Sequence, residues 1–190
     1  MITELEIKML DIDIENLRKK LESTGAFIIM NALLRSTIFY SVSNKDQEYI
    51  RVRDEDQKVT LTYKQICEGG LATIEHEVSV NSYEDAIAFL ELIGLKKKRM
   101  DEKHRIRYKL DNAFIDIDTW PGIPTYVEIE ANAEHDIHVV CGKLELDFER
   151  RFMGDTLDVF RHYGIDPNSA NNLFFSTDQR QSLFPIDHRR

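Results

Sequence analysis

The chain has 190 residues, of which 42% are hydrophobic and 31% charged, with 25 basic against 34 acidic side chains and a net charge of −9. That length suits one well-cored domain and is short for two; roughly 70% of the unfolded surface is buried at this size, so no disulfide or metal staple is needed to fold. No apolar run approaches the roughly 18 residues of a membrane span, and an acidic balance disfavours nucleic acid or an anionic membrane as a partner.

A strand is expected at residues 4–8, followed by a helix at 13–23 whose Ile14, Leu17 and Leu21 share a face and whose end is marked by Gly25. Strands follow at 36–42, 48–53, 59–63 and 72–80, the last two joined by a hairpin at Glu68-Gly69-Gly70. A second helix spans 82–93, with Ser82 as N-cap, Ala86, Phe89, Leu90 and Ile93 as its apolar stripe, and Gly94 as its stop. Then come strands at 103–110 and 114–119, with a hairpin at Asp111-Asn112, and a strand at 126–131. Helices at 136–144 and 151–163 close the domain, the latter carrying Phe152, Leu157 and Phe160 and ending at Gly164. Residues 1–165 form the domain, and the tail 166–190 is expected to pack on it in extended form without a regular element. Eight strands with four helices bunched around and after them indicate an α+β fold built on a large antiparallel sheet or barrel.

Cys67 and Cys141 make no disulfide framework and have no metal-site spacing. The first residues alternate like a strand and do not read as a charged-then-apolar leader, so a reducing, cytoplasmic setting is expected.

Side chains two apart on a strand share a face. By that rule Glu4, Glu6 and Lys8 point one way and Leu5 and Ile7 the other. Arg51 and Arg53, Glu75 and Glu77, Lys103, Arg105, Arg107 and Lys109, Asp116 and Asp118, and Glu128 and Glu130 each face away from apolar neighbours. An ordinary solvent face would mix in Ser, Thr, Asn and Gln, whereas these faces are nearly all charged and sorted by sign. Like charges at that spacing repel unless an opposite charge or a bound ion lies between them. The sorting is explained if the sheet closes into a barrel with apolar faces outward under helices and charged faces inward. Clustered carboxylates suit hard cations such as Mg²⁺ or Mn²⁺, and Arg and Lys suit a polyanion. Together they describe a site for a metal-bridged polyphosphate, where catalysis consists largely of positioning and charge neutralisation.

The order of these motifs resembles the CYTH-domain proteins, the triphosphate tunnel metalloenzymes. Glu4-Leu5-Glu6-Ile7-Lys8 matches their N-terminal Glu-x-Glu-x-Lys, followed in order by Arg51-Val52-Arg53, a strand ending at Lys64, and Glu75-His76-Glu77. The basic stretch Lys96-Lys97-Lys98-Arg99, then Lys103-His104-Arg105-Ile106-Arg107, Asp116-Ile117-Asp118 and Glu128-Ile129-Glu130 complete a match over residues 2–165. The resemblance implies a closed eight-stranded barrel in which Glu4, Glu6, Asp118, Glu128 and Glu130 hold Mg²⁺ or Mn²⁺, with Asp116 a lesser candidate. It implies that Lys8, Arg51, Arg53, Lys64, Lys103, Arg105 and Arg107 line the triphosphate path, and that Glu75 or Glu77 binds metal or orients the cations. The catalytic set it implies is Glu4, Glu6, Lys8, Arg53, Asp118, Glu128 and Glu130.

Such proteins hydrolyse triphosphates or, as class IV adenylate cyclases, convert ATP to cyclic AMP and pyrophosphate. The His-Phe-containing stretch that precedes the first strand of the cyclases has no counterpart before Glu4, which favours a triphosphatase acting on tripolyphosphate, thiamine triphosphate or a nucleotide. A cyclase is the alternative, and a module that binds triphosphate without turnover the second. The expected partner is a small triphosphate, with no nucleic acid or membrane, and a homodimer is left open. His135 and His138 read as surface residues, His76 as packed under a helix, and Trp120 and Tyr126 as packing at the barrel rim. Lys96 to Arg99 would draw anions toward a tunnel mouth, and Arg180, Arg189 and Arg190 are candidate lid groups.

Overall fold

The computed structural model describes residues 2–43, 48–55, 57–66, 72–166 and 172–183; the side chains of residues 2–4, 66, 72 and 73 are not among the described features. In chain order the elements are β1 (Ile2–Met9), α1 (Ile14–Ser23), β2 (Phe27–Tyr40), β3 (Glu48–Asp54), β4 (Val59–Ile66), β5 (Ala72–Val80) and α2 (Tyr83–Leu92). They continue with β6 (Lys97–Leu110), β7 (Ala113–Thr119), β8 (Tyr126–Ala131), α3 (Glu134–Lys143), α4 (Thr156–His162), β9 (Asn172–Leu173) and α5 (Thr177–Leu183). A short 3₁₀ turn at Phe148–Arg150 precedes α4.

The sheet runs β2-β3-β4-β5-β1-β8-β7-β6-β9, and β2 also pairs with β6. Apart from the parallel β6–β9 contact, every pairing is antiparallel. The α+β fold with a curled eight-strand sheet is therefore as expected. Closure is seen in part: the β2–β6 ladder is long, but β1 meets β5 only from Ile2 to Leu5, and β2 meets β3 only from Arg35 to Tyr40.

The hydrophobic core lies on the outside of this curl. Leu17 and Leu21 of α1 and Ile137, Val140 and Cys141 of α3 cover Ile7, Ile106, Ile115, Ile117, Val127 and Ile129 of the sheet. Tyr83 and Leu90 of α2 cover Phe39 and Val52. A third cluster of Trp120, Tyr126, Val159, Phe160 and Leu173 gathers α4 and the tail against the β7–β8 connection. Capping holds the helices in place: the Asp13 carboxylate accepts from the Asn16 N–H at 3.0 Å, and the Ser82 hydroxyl accepts from the Asp85 N–H at 3.1 Å. Gly25 and Gly94 turn the chain out of α1 and α2 with φ of 81° and 95°, a region open to glycine without steric cost.

Several expectations need correction. Strand β2 begins nine residues earlier than expected, because 27–34 is apolar except for Asn31 and has no alternation to mark it. Strand β6 begins at Lys97, six residues earlier than expected, so the basic stretch Lys97 to Arg99 belongs to the strand. Helix α4 starts at Thr156, where Asp155 and Asp158 form a capping box; the expected first residues instead bring Phe152 into a bridge with Lys8. The tail is not irregular, since it contributes β9 and α5. The Asp111-Asn112 turn is present, with Asp111 at φ 50°, whereas the expected Glu68-Gly69-Gly70 hairpin and Cys67 lie outside the described residues.

Candidate functional site

Strand alternation and register together decide which charges meet. The turn at Asp111-Asn112 sets Arg105 opposite Asp118 and Arg107 opposite Asp116. Arg105 donates from Nε to Asp118 Oδ1 and from Nη2 to Asp118 Oδ2, both at 2.6 Å, and also reaches Asp116 and Glu128 at 2.5 Å. Arg107 grips Asp116 through Nε at 2.7 Å and Nη2 at 2.6 Å and extends to Glu130 at 3.1 Å. Lys103 Nζ donates to Asp118 Oδ2 at 2.7 Å. On the far side of β8, Lys8 lies opposite Glu128, 3.6 Å from its carboxylate, and donates to Glu6 at 2.7 Å.

Burial makes this network costly to break, because its charges have lost water and depend on one another. Burial alone would push Glu128 up, but Lys8, Lys103 and Arg105 outweigh it and hold the carboxyl well below its usual range. For Lys8 and Arg105 the surrounding carboxylates likewise overcome burial and raise the pKa. Lys103 goes the other way: burial and the neighbouring Arg105 outweigh Asp118, and its ammonium is pushed down to about 8.

A cavity of about 550 Å³ opens inside the curl. Its wall includes Glu6, Arg51, Arg53, Lys64, Glu75, Glu77, Lys103, Arg105, Arg107, Glu128 and Glu130. Lys8, Asp116 and Asp118 do not reach this lining; they stand behind it as counter-charges to the residues that do. Glu75 accepts from Lys64 at 2.6 Å, and Glu77 accepts from Lys58 at 2.9 Å and from the Thr62 hydroxyl at 3.1 Å, so both are held by the wall's own groups. Arg53 donates through Nε to the Ser36 hydroxyl at 3.2 Å, and its Nη1 lies 3.7 Å from the Glu55 carboxylate. Burial, then Arg51 and Arg105, push the Arg53 guanidinium down to about 10. The Nε of Arg51 is buried and has no hydrogen-bond partner among the described residues, while its Nη2 lies 3.5 Å from the Thr62 hydroxyl. The side chain of Glu4 is not among the described features, although its backbone pairs with Thr73 on β5.

Other lining residues were not anticipated. Ser36, Tyr49, Lys58, Asp101 and Asp155 all border the cavity. Lys98 and Arg99, from the basic stretch expected to draw anions toward a mouth, border it as well, with Arg99 Nε 2.8 Å from both Asp101 oxygens. Alternation carried back from Lys103 would have placed Asp101 and Arg99 on the inner face, had the strand been extended. Asp155 carries no such signal, since α4 reaches the cavity only through the tertiary fold. Arg180 is not at the cavity: it grips Glu102 on the outer face of β6 at 2.7 and 2.9 Å. His76 is exposed and does not lie under a helix, because α2 packs over β3 and β4. His135 and His138 are exposed, as read from the sequence. Trp120 and Tyr126 are buried, with the indole N–H donating to the Tyr126 hydroxyl at 3.1 Å.

A divalent cation was expected among these carboxylates. Glu6 and Glu130 stand directly opposite on paired strands, Glu6 with Lys8 at 2.7 Å and Glu130 with Arg107 at 3.1 Å. Among the described residues, no three His, Cys, Asp or Glu side chains form a ready-made cage. The expected cluster of carboxylate ligands is thus not assembled among them, and a hard ion here would be held by one or two carboxylates together with substrate oxygens. No helix among the described residues is long and apolar enough to cross a membrane.

Fold and site thus define an α+β protein whose curled antiparallel sheet keeps its core outside and a charge-lined cavity inside. The CYTH domain model matches residues 3–163, and the chain belongs to that family. Among solved structures, the PH1012 protein from Pyrococcus horikoshii OT3 is similar at a TM-score of 0.71 and 23% identity, over 82% of this chain and 98% of that one. A candidate adenylate cyclase from Vibrio parahaemolyticus gives 0.69 and 13%, over 84% and 98%. A candidate adenylyl cyclase from Hippeastrum, described as having a dominant triphosphatase activity, gives 0.56 and 14%, over 88% and 99%. At these identities the likeness is one of fold. No curated protein matches the chain.

Proposed function

We propose that this protein is a divalent-metal-dependent enzyme that hydrolyses the terminal phosphoanhydride of a triphosphate. The observation that carries this reading is the division of the cavity wall. Arg51 and Arg53 project from β3, and among the described residues one buried guanidinium nitrogen of the first has no hydrogen-bond partner and the second donates to the Ser36 hydroxyl. Glu6, Glu128 and Glu130 face them from β1 and β8. A guanidinium held down at about 10 by burial and by other cations gains most from a polyanion.

In this reading Arg51, Arg53, Lys64 and Arg105 bind phosphoryl oxygens, and Lys103 adds a further cation near the Trp120 ring. Glu6 and Glu130, opposite each other on β1 and β8, would hold Mg²⁺ or Mn²⁺ together with substrate oxygens, and the ion when bound neutralises phosphoryl charge. Asp116 and Asp118 fix the directions of Arg105 and Arg107, and Lys8 spaces Glu6 from Glu128. Water attacks the terminal phosphorus, the bond to the bridging oxygen breaks, the shortened phosphate leaves with the electron pair, and orthophosphate forms as the water's proton passes to solvent. The dominant triphosphatase activity described for the Hippeastrum relative supports hydrolysis.

The test is a panel of tripolyphosphate, ATP and thiamine triphosphate with Mg²⁺ or Mn²⁺, with separate assays for phosphate, pyrophosphate and cyclic AMP. Steady phosphate release is expected. Cyclic AMP with equimolar pyrophosphate from ATP would replace hydrolysis by cyclisation, and tight binding without any product would reduce the protein to a triphosphate-binding module.

A further inference from the structure

Three buried side-chain polar atoms have no hydrogen-bond partner among the described residues: Arg51 Nε, Thr60 Oγ1 and Arg99 Nη1. A buried donor left unpaired is costly to the fold, so each calls for an occupant. The first two belong with the triphosphate path, since Thr60 stands opposite Arg53 on β4 and Arg51 is its neighbour on the same face of β3. Arg99 lies apart from them, six residues or about 20 Å of strand from Arg105 on β6. A break in the β2–β6 ladder adds a second cation there. Ile38 pairs with Arg99 and Phe39 with Lys97, so Lys98 is the extra residue of a bulge. Strict alternation would put Lys98 and Arg99 on opposite faces, yet with the bulge both line the cavity. Asp101, bonded to Arg99 Nε at 2.8 Å, is the one carboxylate paired with either of them among the described residues. Farther along the same face Arg105 and Arg107 are each gripped by a carboxylate through two nitrogens.

We propose that Lys98 and Arg99 form an anion subsite beyond the triphosphate path, and that its occupant is a fourth phosphoryl group carried on the same chain. This rests on the triphosphate reading above and extends it to linear polyphosphates of four or more units. A chain held at Arg53 and Arg105 runs on past Lys103 toward Arg99 along one cavity-lining face of β6. Asp101 lies between them on that face, and its charge is answered by the bond of both its oxygens to Arg99. A phosphoryl oxygen at the far end accepts from Arg99 Nη1 and brings negative charge to both cations. Other substituents of a triphosphate suit the subsite less well. A cationic thiazolium would meet two like charges, and a neutral base or a sugar hydroxyl would pair the nitrogen while leaving the charges unanswered.

Calorimetric titration of the full chain in EDTA, where turnover is absent, compares linear tripolyphosphate with linear tetrapolyphosphate. Tetrapolyphosphate is expected to bind at least about tenfold tighter. Arg99→Met should abolish that advantage while leaving the tripolyphosphate Kd within about twofold. Lys96→Met, an exposed change of equal charge outside the cavity lining, should preserve it. Arg99→Met alone strands the buried Asp101 carboxylate, so Arg99→Met with Asp101→Asn removes the pair together and should give the same result with unchanged circular dichroism. Equal affinity of the parent for the two chains overturns the proposal, as does an advantage that survives both Arg99 variants. Equal weakening of both chains would place Arg99 in the triphosphate path and likewise overturn it. Inorganic phosphate titrated into the tripolyphosphate complex covers a separate ion: binding lost in Arg99→Met, without any tetrapolyphosphate advantage, would replace the continuous chain by free phosphate. A parent that binds neither chain, with or without Mg²⁺, would end the triphosphate reading itself, whereas the other outcomes leave that reading standing.

Discussion

Replacing Arg53 by methionine separates binding from stability, because the two effects have opposite signs. Arg53 is held at about 10 by burial and by Arg51 and Arg105. Against a usual value of 12.5, at 1.36 kcal/mol per pKa unit, its charge costs the empty fold roughly 3 kcal/mol. Methionine keeps the aliphatic stem and removes that cost. It also loses the hydrogen bond to Ser36, worth about 1 kcal/mol. The substrate-free variant should therefore be as stable as the parent or up to about 2 kcal/mol more stable. With tripolyphosphate, the loss of a charge-assisted hydrogen bond should weaken binding by about 1.5–3 kcal/mol, a rise in Kd of roughly 10- to 150-fold. Urea unfolding without ligand measures the first quantity and calorimetric titration with tripolyphosphate and Mg²⁺ the second. A variant that loses more than about 1 kcal/mol of stability while binding tripolyphosphate as before would refute the reasoning, since Arg53 would then be a structural cation.

Two further outcomes follow from the same network. The Lys103 ammonium is pushed down to about 8 from 10.5, so the folded chain releases this proton before the unfolded chain does. Stability of the substrate-free protein should consequently rise between about pH 8 and 10.5 through this group, and tripolyphosphate affinity should fall over the same range. Lys103→Arg should abolish the fall, and an unchanged pH profile of binding in that variant would remove Lys103 from the anion site. Glu6→Gln should leave the fold intact while raising the Mg²⁺ concentration for half-maximal turnover by about tenfold or more; metal titrations of initial rate decide it, and an unaltered metal dependence would dissociate Glu6 from the cation.

Much of the inner face could be read one strand at a time. The two-residue period places Arg105 and Arg107, Asp116 and Asp118, and Glu128 and Glu130 opposite apolar partners, and burial of Ile106, Ile115, Ile117, Val127 and Ile129 bears out that division. One step further was also available. A two-residue turn at Asp111-Asn112 forces Leu110 to face Ala113, and counting back puts Arg105 against Asp118 and Arg107 against Asp116. Both aspartates are thus satisfied by their hairpin partners and stand behind the cavity lining, where the sequence had suggested metal ligands. The largely apolar run at 27–34 was not legible as strand, because periodicity cannot distinguish an apolar segment without alternation from a loop or a buried helix.

What the sequence by itself determined was local: which side chains share a face, where hairpins turn, where Ser82 and Asp13 start helices, and that the charges belong on one side. Pairings between distant strands were left to the tertiary structure. The β1–β8 register sets Lys8 against Glu128 and Glu6 against Glu130, and the long β2–β6 ladder sets Ser36 against Asp101 and Ala32 against Arg105. These pairings join segments separated by long stretches of chain, so no local turn counts them out. They are chosen by the burial of the outer face under α1, α2 and α3, and a shift of one residue would turn every one of those apolar side chains inward.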